Sequence, residues 1–118
     1  MDGTIENIIF RVGGFFGFDH FNIAVNKDGT SVLSHESVSG KSILPNDCKY
    51  SKQETKALIK GLEQTGVYSW KRYYMPDYMV TDGTGWCVEI DRKGKRKFIR
   101  EGENLFPPHW GAFCALFG

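Results

Sequence analysis

Residues 21–26 alternate apolar and polar positions, Phe21-Asn22-Ile23-Ala24-Val25-Asn26, and run directly into Lys27-Asp28-Gly29-Thr30. That combination constrains the fold more than any other part of the chain. Apolar side chains at every second position mark a strand with one buried face, and Asp-Gly is a strong hairpin-turn signal. The return strand then covers residues 30–37, TSVLSHES. An earlier segment, residues 4–12, is rich in β-branched and apolar residues and places Ile8, Phe10 and Val12 on one face of a first strand. Between these strands, Gly13, Gly14 and Gly17 punctuate an aromatic loop, GGFFGFDH.

Residues 38–50 are polar, contain Gly40, Pro45 and Asn46, and are predicted to form a loop. Ser51-Lys52-Gln53-Glu54 is a capping box, in which the serine oxygen accepts an early backbone N–H and the glutamate reaches back to the cap. The helix it opens runs to about Gln64, with Leu58, Ile59 and Leu62 on its apolar stripe and Gly66 suited to its left-handed close. Val67–Tyr74 is predicted to be a short strand or extended segment, and Asp82-Gly83 a turn. Trp86, Val88 and Ile90 alternate with Cys87, Glu89 and Asp91; Arg92-Lys93-Gly94 turns the chain, and residues 95–100 return. Pro107-Pro108 can open a terminal helix bearing Trp110, Phe113, Cys114 and Phe117, since proline lacks only a donor that has no partner there.

The order β-β-β-α-β-β-β-α predicts a single α+β domain over residues 1–118. Its sheet is antiparallel and hairpin-rich, with about five or six strands, and the central helix and the short C-terminal helix pack on one face. At 118 residues, with 41% hydrophobic and 25% charged residues, the chain can build a core without metal or disulfide staples. A net charge of +1 gives no global field of the kind a nucleic-acid or membrane binder carries. The apolar runs are too short to span a bilayer, and MDGTIENIIF lacks the pattern of a secretory signal, so the expected location is cytoplasmic.

Cys48, Cys87 and Cys114 are widely spaced and odd in number, which favours reduced, partly buried thiols over disulfides or zinc ligands. Cys87 faces opposite to Trp86 and Val88 and is the cysteine expected to be most exposed. His20, His35 and His109 lie outside metal-ligand spacing of one another and of the cysteines, so neither a metal nor a cofactor is predicted. Asp19-His20 could orient an imidazole beside Cys48 or Cys87, but nothing in the spacing predicts such a site; His20 better suits a role at the glycine-rich loop. The glycines at 13, 14 and 17 fit neither a phosphate loop nor a dinucleotide fingerprint; a bent strand connection explains them.

Two surface features remain. Tyr68, Trp70, Tyr73, Tyr74, Tyr78 and Trp86 crowd one stretch in which Lys71, Arg72 and Asp77 break the apolar continuity. Most of Trp70, Tyr73 and Tyr78 are expected to line the sheet under the helix, while some of the rings in the stretch reach solvent beside charge, the composition of an interface centre. Arg92, Lys93, Lys95, Arg96 and Lys97 form a basic hairpin that could contact phosphates or an acidic protein, or serve as a solvated tip that discourages edge pairing.

Trp70, Asp82-Gly83-Thr84-Gly85-Trp86 and Glu103-Asn104-Leu105-Phe106-Pro107-Pro108-His109-Trp110 resemble a pattern in small uncharacterised bacterial proteins. There a DGxxW strand precedes a G-x-N-x-(Y/F)-P entry to a terminal helix; Gly102, Asn104, Phe106 and Pro107 fit it, and Pro108 departs from it. The resemblance implies a compact α+β domain. In general appearance the chain is also similar to immunity proteins of bacterial toxin systems. On its own residues the 102–110 stretch reads as structural.

The function expected from these features is non-enzymatic protein binding, with no catalytic residues. The concrete form is an immunity protein that neutralises a toxin domain through Lys71, Arg72, Tyr73, Tyr74, Asp77 and Tyr78. A nucleic-acid module built on the basic hairpin is the alternative, and a small enzyme with an unrecognised site is the third class.

Overall fold

A computed structural model of the chain describes residues 4–14, 17–37, 48–75 and 84–117. Seven strands form one sheet: β1 (Ile5–Gly14), β2 (Gly17–Val25), β3 (Ser31–Ser37), β4 (Cys48–Tyr50), β5 (Tyr73–Tyr74), β6 (Gly85–Arg92) and β7 (Phe98–Glu103). Helix α1 (Lys52–Gln64) lies between β4 and β5, and the short α2 (Trp110–Ala115) follows β7. The strand order is β4-β3-β2-β1-β6-β7-β5, so the first and last thirds of the sequence meet at the central β1–β6 pair.

The α+β class holds, but the sheet is wider than expected and mixed in direction. Residues 48–50, expected in a loop, pair antiparallel with Ser31–Leu33 as β4. Tyr73-Tyr74 pairs parallel to Glu101-Gly102, the one parallel ladder among the described strands. Val67–Ser69 just before it is a 3-10 turn, not a strand. The glycine-rich loop is also largely absent: β1 and β2 stay in register from Asn7–Ala24 to Gly14–Gly17. The added strand β4 and the parallel pairing of β5 share a cause. Two- and three-residue edge strands are set by tertiary pairing and are too short to show a period in sequence.

Local signals are realised where they were strongest. Asn26 donates to the Thr30 carbonyl across the turn, whose Gly29 has φ 92°. Both halves of the capping box form: Glu54 N–H donates to Ser51 Oγ at 3.1 Å and Ser51 N–H to Glu54 Oε1 at 3.0 Å. Gly66 takes the left-handed conformation after α1. The terminal helix starts later than predicted, with left-handed His109 as its cap, so Pro107 and Pro108 lie in the approach to it.

Alternation then sorts the sheet into two faces. Ile8, Phe10, Ile23, Leu33, Trp86, Val88, Ile90 and Phe98 point to the side that both helices cover. Phe10 is the centre of this core, with ring centroids 5.0 Å from Phe113 and Phe117 and 5.5 Å from Trp110. A buried Ser31–Thr55 hydroxyl pair at 2.7 Å ties α1 to β3.

The opposite face carries Asn7, Ile9, Arg11, His20, Asn22, Ser34, Glu36, Cys87, Glu89, Ile99 and Glu101.

Candidate functional site

Among the described residues, the exposed large hydrophobic side chains lie on β5 or just past the ends of β5 and β7. Tyr73 is 53% exposed, Met75 51%, Leu105 42% and Phe106 42%. Because β5 and β7 are parallel and in register at Tyr74–Gly102, the chain leaves both strands in the same direction. Met75 leaves β5 there, and Leu105 and Phe106 follow β7. Scattered exposed apolar residues need no explanation; four of them, two aromatic, at the ends of two paired strands make this edge the candidate site.

The corner is held from beneath by a wall of rings. Trp86 packs on Trp110 at 4.9 Å, on Trp70 at 5.8 Å and on Tyr74 at 5.9 Å, and Phe106 rests on Trp110 at 5.1 Å. Trp86 Nε1–H donates to the Leu105 carbonyl at 2.9 Å, and Thr84 and Asn104 clasp each other through two 2.9 Å bonds. Leu105 and Phe106 are thus presented by a braced backbone. A sequence signal was present: two adjacent apolar residues before Pro107, whose predecessor is pushed toward extended backbone, cannot share one buried face.

The predicted partner-binding residues separate. Lys71, Arg72 and Tyr73 are exposed on the β5 edge; Arg72 lies over the Tyr73 ring at 4.4 Å and reaches Glu101 at 3.3 Å. Tyr73 was expected in part to line the core, but as the outermost strand's outward residue it faces solvent. Tyr74 points inward, half-buried against Trp86, and its hydroxyl accepts the Lys71 N–H. Trp70 is buried as expected. Asp77 and Tyr78 lie outside the described residues, as does the Asp82-Gly83 turn.

The basic hairpin divides too. Arg92 folds back over the rings of Tyr68 and Phe98, 4.9 and 5.4 Å from their centroids. Lys97 turns to Glu89 and Asp91 at 3.4 and 3.9 Å. Lys93, Lys95 and Arg96 remain exposed at the tip. Arg100 closes the start of the β7 edge: its Nε donates to the Trp70 carbonyl and its Nη1 to the Ile99 carbonyl, both at 2.8 Å.

The groups considered for catalysis are kept apart. Asp19 meets His35, 3.0 Å from Nε2, and not its neighbour His20, because adjacent strand residues point to opposite faces. The His35 ring lies flat on Phe21 at 4.4 Å. His20 and Cys87 share the open face, yet Arg11 stands between them in the register, two strand spacings or roughly 10 Å across. Arg11 pairs with Glu89 beside Cys87, which is half-buried and not the exposed thiol expected. Burial pushes the Cys87 and Cys114 thiols up, the reverse of nucleophile activation. No group of three or more metal-ligating side chains occurs among the described residues.

No protein-family model, curated protein or solved structure matches this chain. No helix among the described residues is long and apolar enough to cross a membrane.

Proposed function

We propose that this chain is a non-enzymatic protein-docking domain whose contact surface is the β5–β7 corner. The observation that carries the reading is the exposure of Tyr73, Met75, Leu105 and Phe106 along the paired β5 and β7 and just past their ends, with exposed Lys71 and Arg72 immediately before Tyr73. Rigid aromatic anchors lose little side-chain entropy on binding, and a charged rim steers encounter. The narrower form of the proposal is an immunity protein that occludes a toxin domain one to one.

Protein is favoured over nucleic acid as the partner. Arg92 covers the Tyr68 and Phe98 rings on which bases would stack, and Lys97 is already matched by two carboxylates. The test compares partners co-purified from source cells with the wild-type chain and with Leu105→Asp/Phe106→Asp. The expected result is one protein retained by the wild type and lost by the equally stable double variant; under the immunity reading that protein is toxic alone and silent in the complex. Retention of the same partner by the double variant overturns the assignment of the surface.

A further inference from the structure

Resting on that protein-docking reading, we infer that the partner segment is an extended strand that adds to the outer edge of β5. Its carboxylates point toward the β6–β7 turn and its apolar side chains toward Leu105.

The backbone supplies the first argument. Glu101 N–H donates to the Arg72 carbonyl. In a parallel ladder one residue bonds to the two that flank its partner, so residues 72 and 74 serve β7 and Tyr73 turns its own N–H and C=O away from it. Among the described residues the sheet order ends at β5, which leaves this donor and acceptor at the rim. Arg100 has sealed the Ile99 and Trp70 carbonyls further along, so among the described residues the edge is closed at its start and open at Tyr73. An open edge beside an exposed aromatic ring is the surface that strand addition uses.

Charge sets the direction and the class of the incoming strand. Residues before Tyr73 lie toward the β6–β7 turn, so Lys71 and Arg72 stand on the same side as exposed Lys93, Lys95 and Arg96. Arg72 is matched by Glu101, but Lys71, Lys93, Lys95 and Arg96 have no carboxylate partner among the described residues. The other end of the edge is apolar, at Met75, Leu105 and Phe106. A second copy of this chain fits poorly. Antiparallel pairing about Tyr73 would bring the two Arg72 side chains to diagonal positions about 7–8 Å apart, cation against cation. An acidic segment with an apolar end complements both halves.

Random peptides displayed on phage and selected on the full chain, followed by anisotropy titration of the selected peptides, test the inference. The expected sequences carry Asp or Glu next to a run of Val, Ile, Leu or Phe. Their binding should fall about tenfold or more in Tyr73→Pro, which removes the outward N–H, and less in Tyr73→Ala, which keeps it. Lys71→Glu should weaken binding, and methylating the peptide's own backbone amides should abolish it, a readout that does not depend on how the protein variants fold. Selected peptides with no acidic bias, or binding indifferent to peptide methylation, overturn the inference. If that happens while Leu105→Asp/Phe106→Asp still loses its cellular partner, the docking surface stands and strand addition falls.

Discussion

A methyl group on Gly102 would sit 2.7 Å from the Tyr74 carbonyl oxygen and 2.8 Å from Trp86 Nε1. Only a hydrogen fits between the edge strand and the indole that braces Leu105. The position therefore joins the two halves of the corner, the parallel pairing of β5 and the anchored segment after β7.

Gly102→Ala should accordingly destabilise the chain by about 1–3 kcal/mol, because the atoms it meets include backbone that cannot swing aside. Chemical denaturation measures the loss. Hydrogen exchange should show faster exchange concentrated at Glu101, whose amide bonds to the Arg72 carbonyl of the edge segment. A neutral substitution would mean that β5 is not seated on β7 as described.

Much of this architecture is written in short-range chemistry. The Asp28-Gly29 hairpin, the Ser51–Glu54 box and the Trp86-Val88-Ile90 face each follow from a few neighbouring residues. What escaped is non-local. Nothing near Cys48 announces a strand, and at Tyr73 the sequence suggests extended chain over 67–74 without its true limits or its parallel partner, since three- and two-residue edges exist only because Leu33 and Glu101 lie alongside. The candidate site was half legible for the same reason. Lys71, Arg72 and Tyr73 stood out by composition, whereas Met75, Leu105 and Phe106 join them only through the parallel β5–β7 pairing. Asp19's choice of His35 over His20 likewise required the β2–β3 register.

The β2–β3 turn should be acid-sensitive. The Thr30 hydroxyl and backbone N–H both donate to Asp28 Oδ1, at 2.6 and 2.9 Å, and the side-chain bond foremost lowers the Asp28 pKa below its ordinary 3.8. A carboxylate with a depressed folded value contributes stability above its unfolded pKa and loses it as pH falls through the folded one. Wild type should exceed Asp28→Asn in stability at neutral pH, and the gap should close below about pH 4. A gap that does not change with pH would contradict the bonding described.

Two of the thiols should be sluggish. Burial raises the pKa values of Cys87 and Cys114 above the ordinary 9.0, so both stay protonated at neutral pH. Iodoacetamide labelling followed by peptide mapping should find each slower in the folded chain than in the denatured one, with rates climbing as pH rises past 9.0. Rapid labelling of Cys87 at neutral pH would reopen a catalytic reading of the open sheet face.

Site-specific photocrosslinking puts the central claim to its most direct test. A benzophenone side chain is placed in turn at Tyr73 and Phe106 on the corner, at Lys56 on the outer face of α1 and at Glu36 on the open sheet face, and each chain is irradiated in source cells. One shared protein adduct is expected from positions 73 and 106 and none from 56 or 36. An adduct confined to position 56 or 36, with 73 and 106 silent, would contradict that claim.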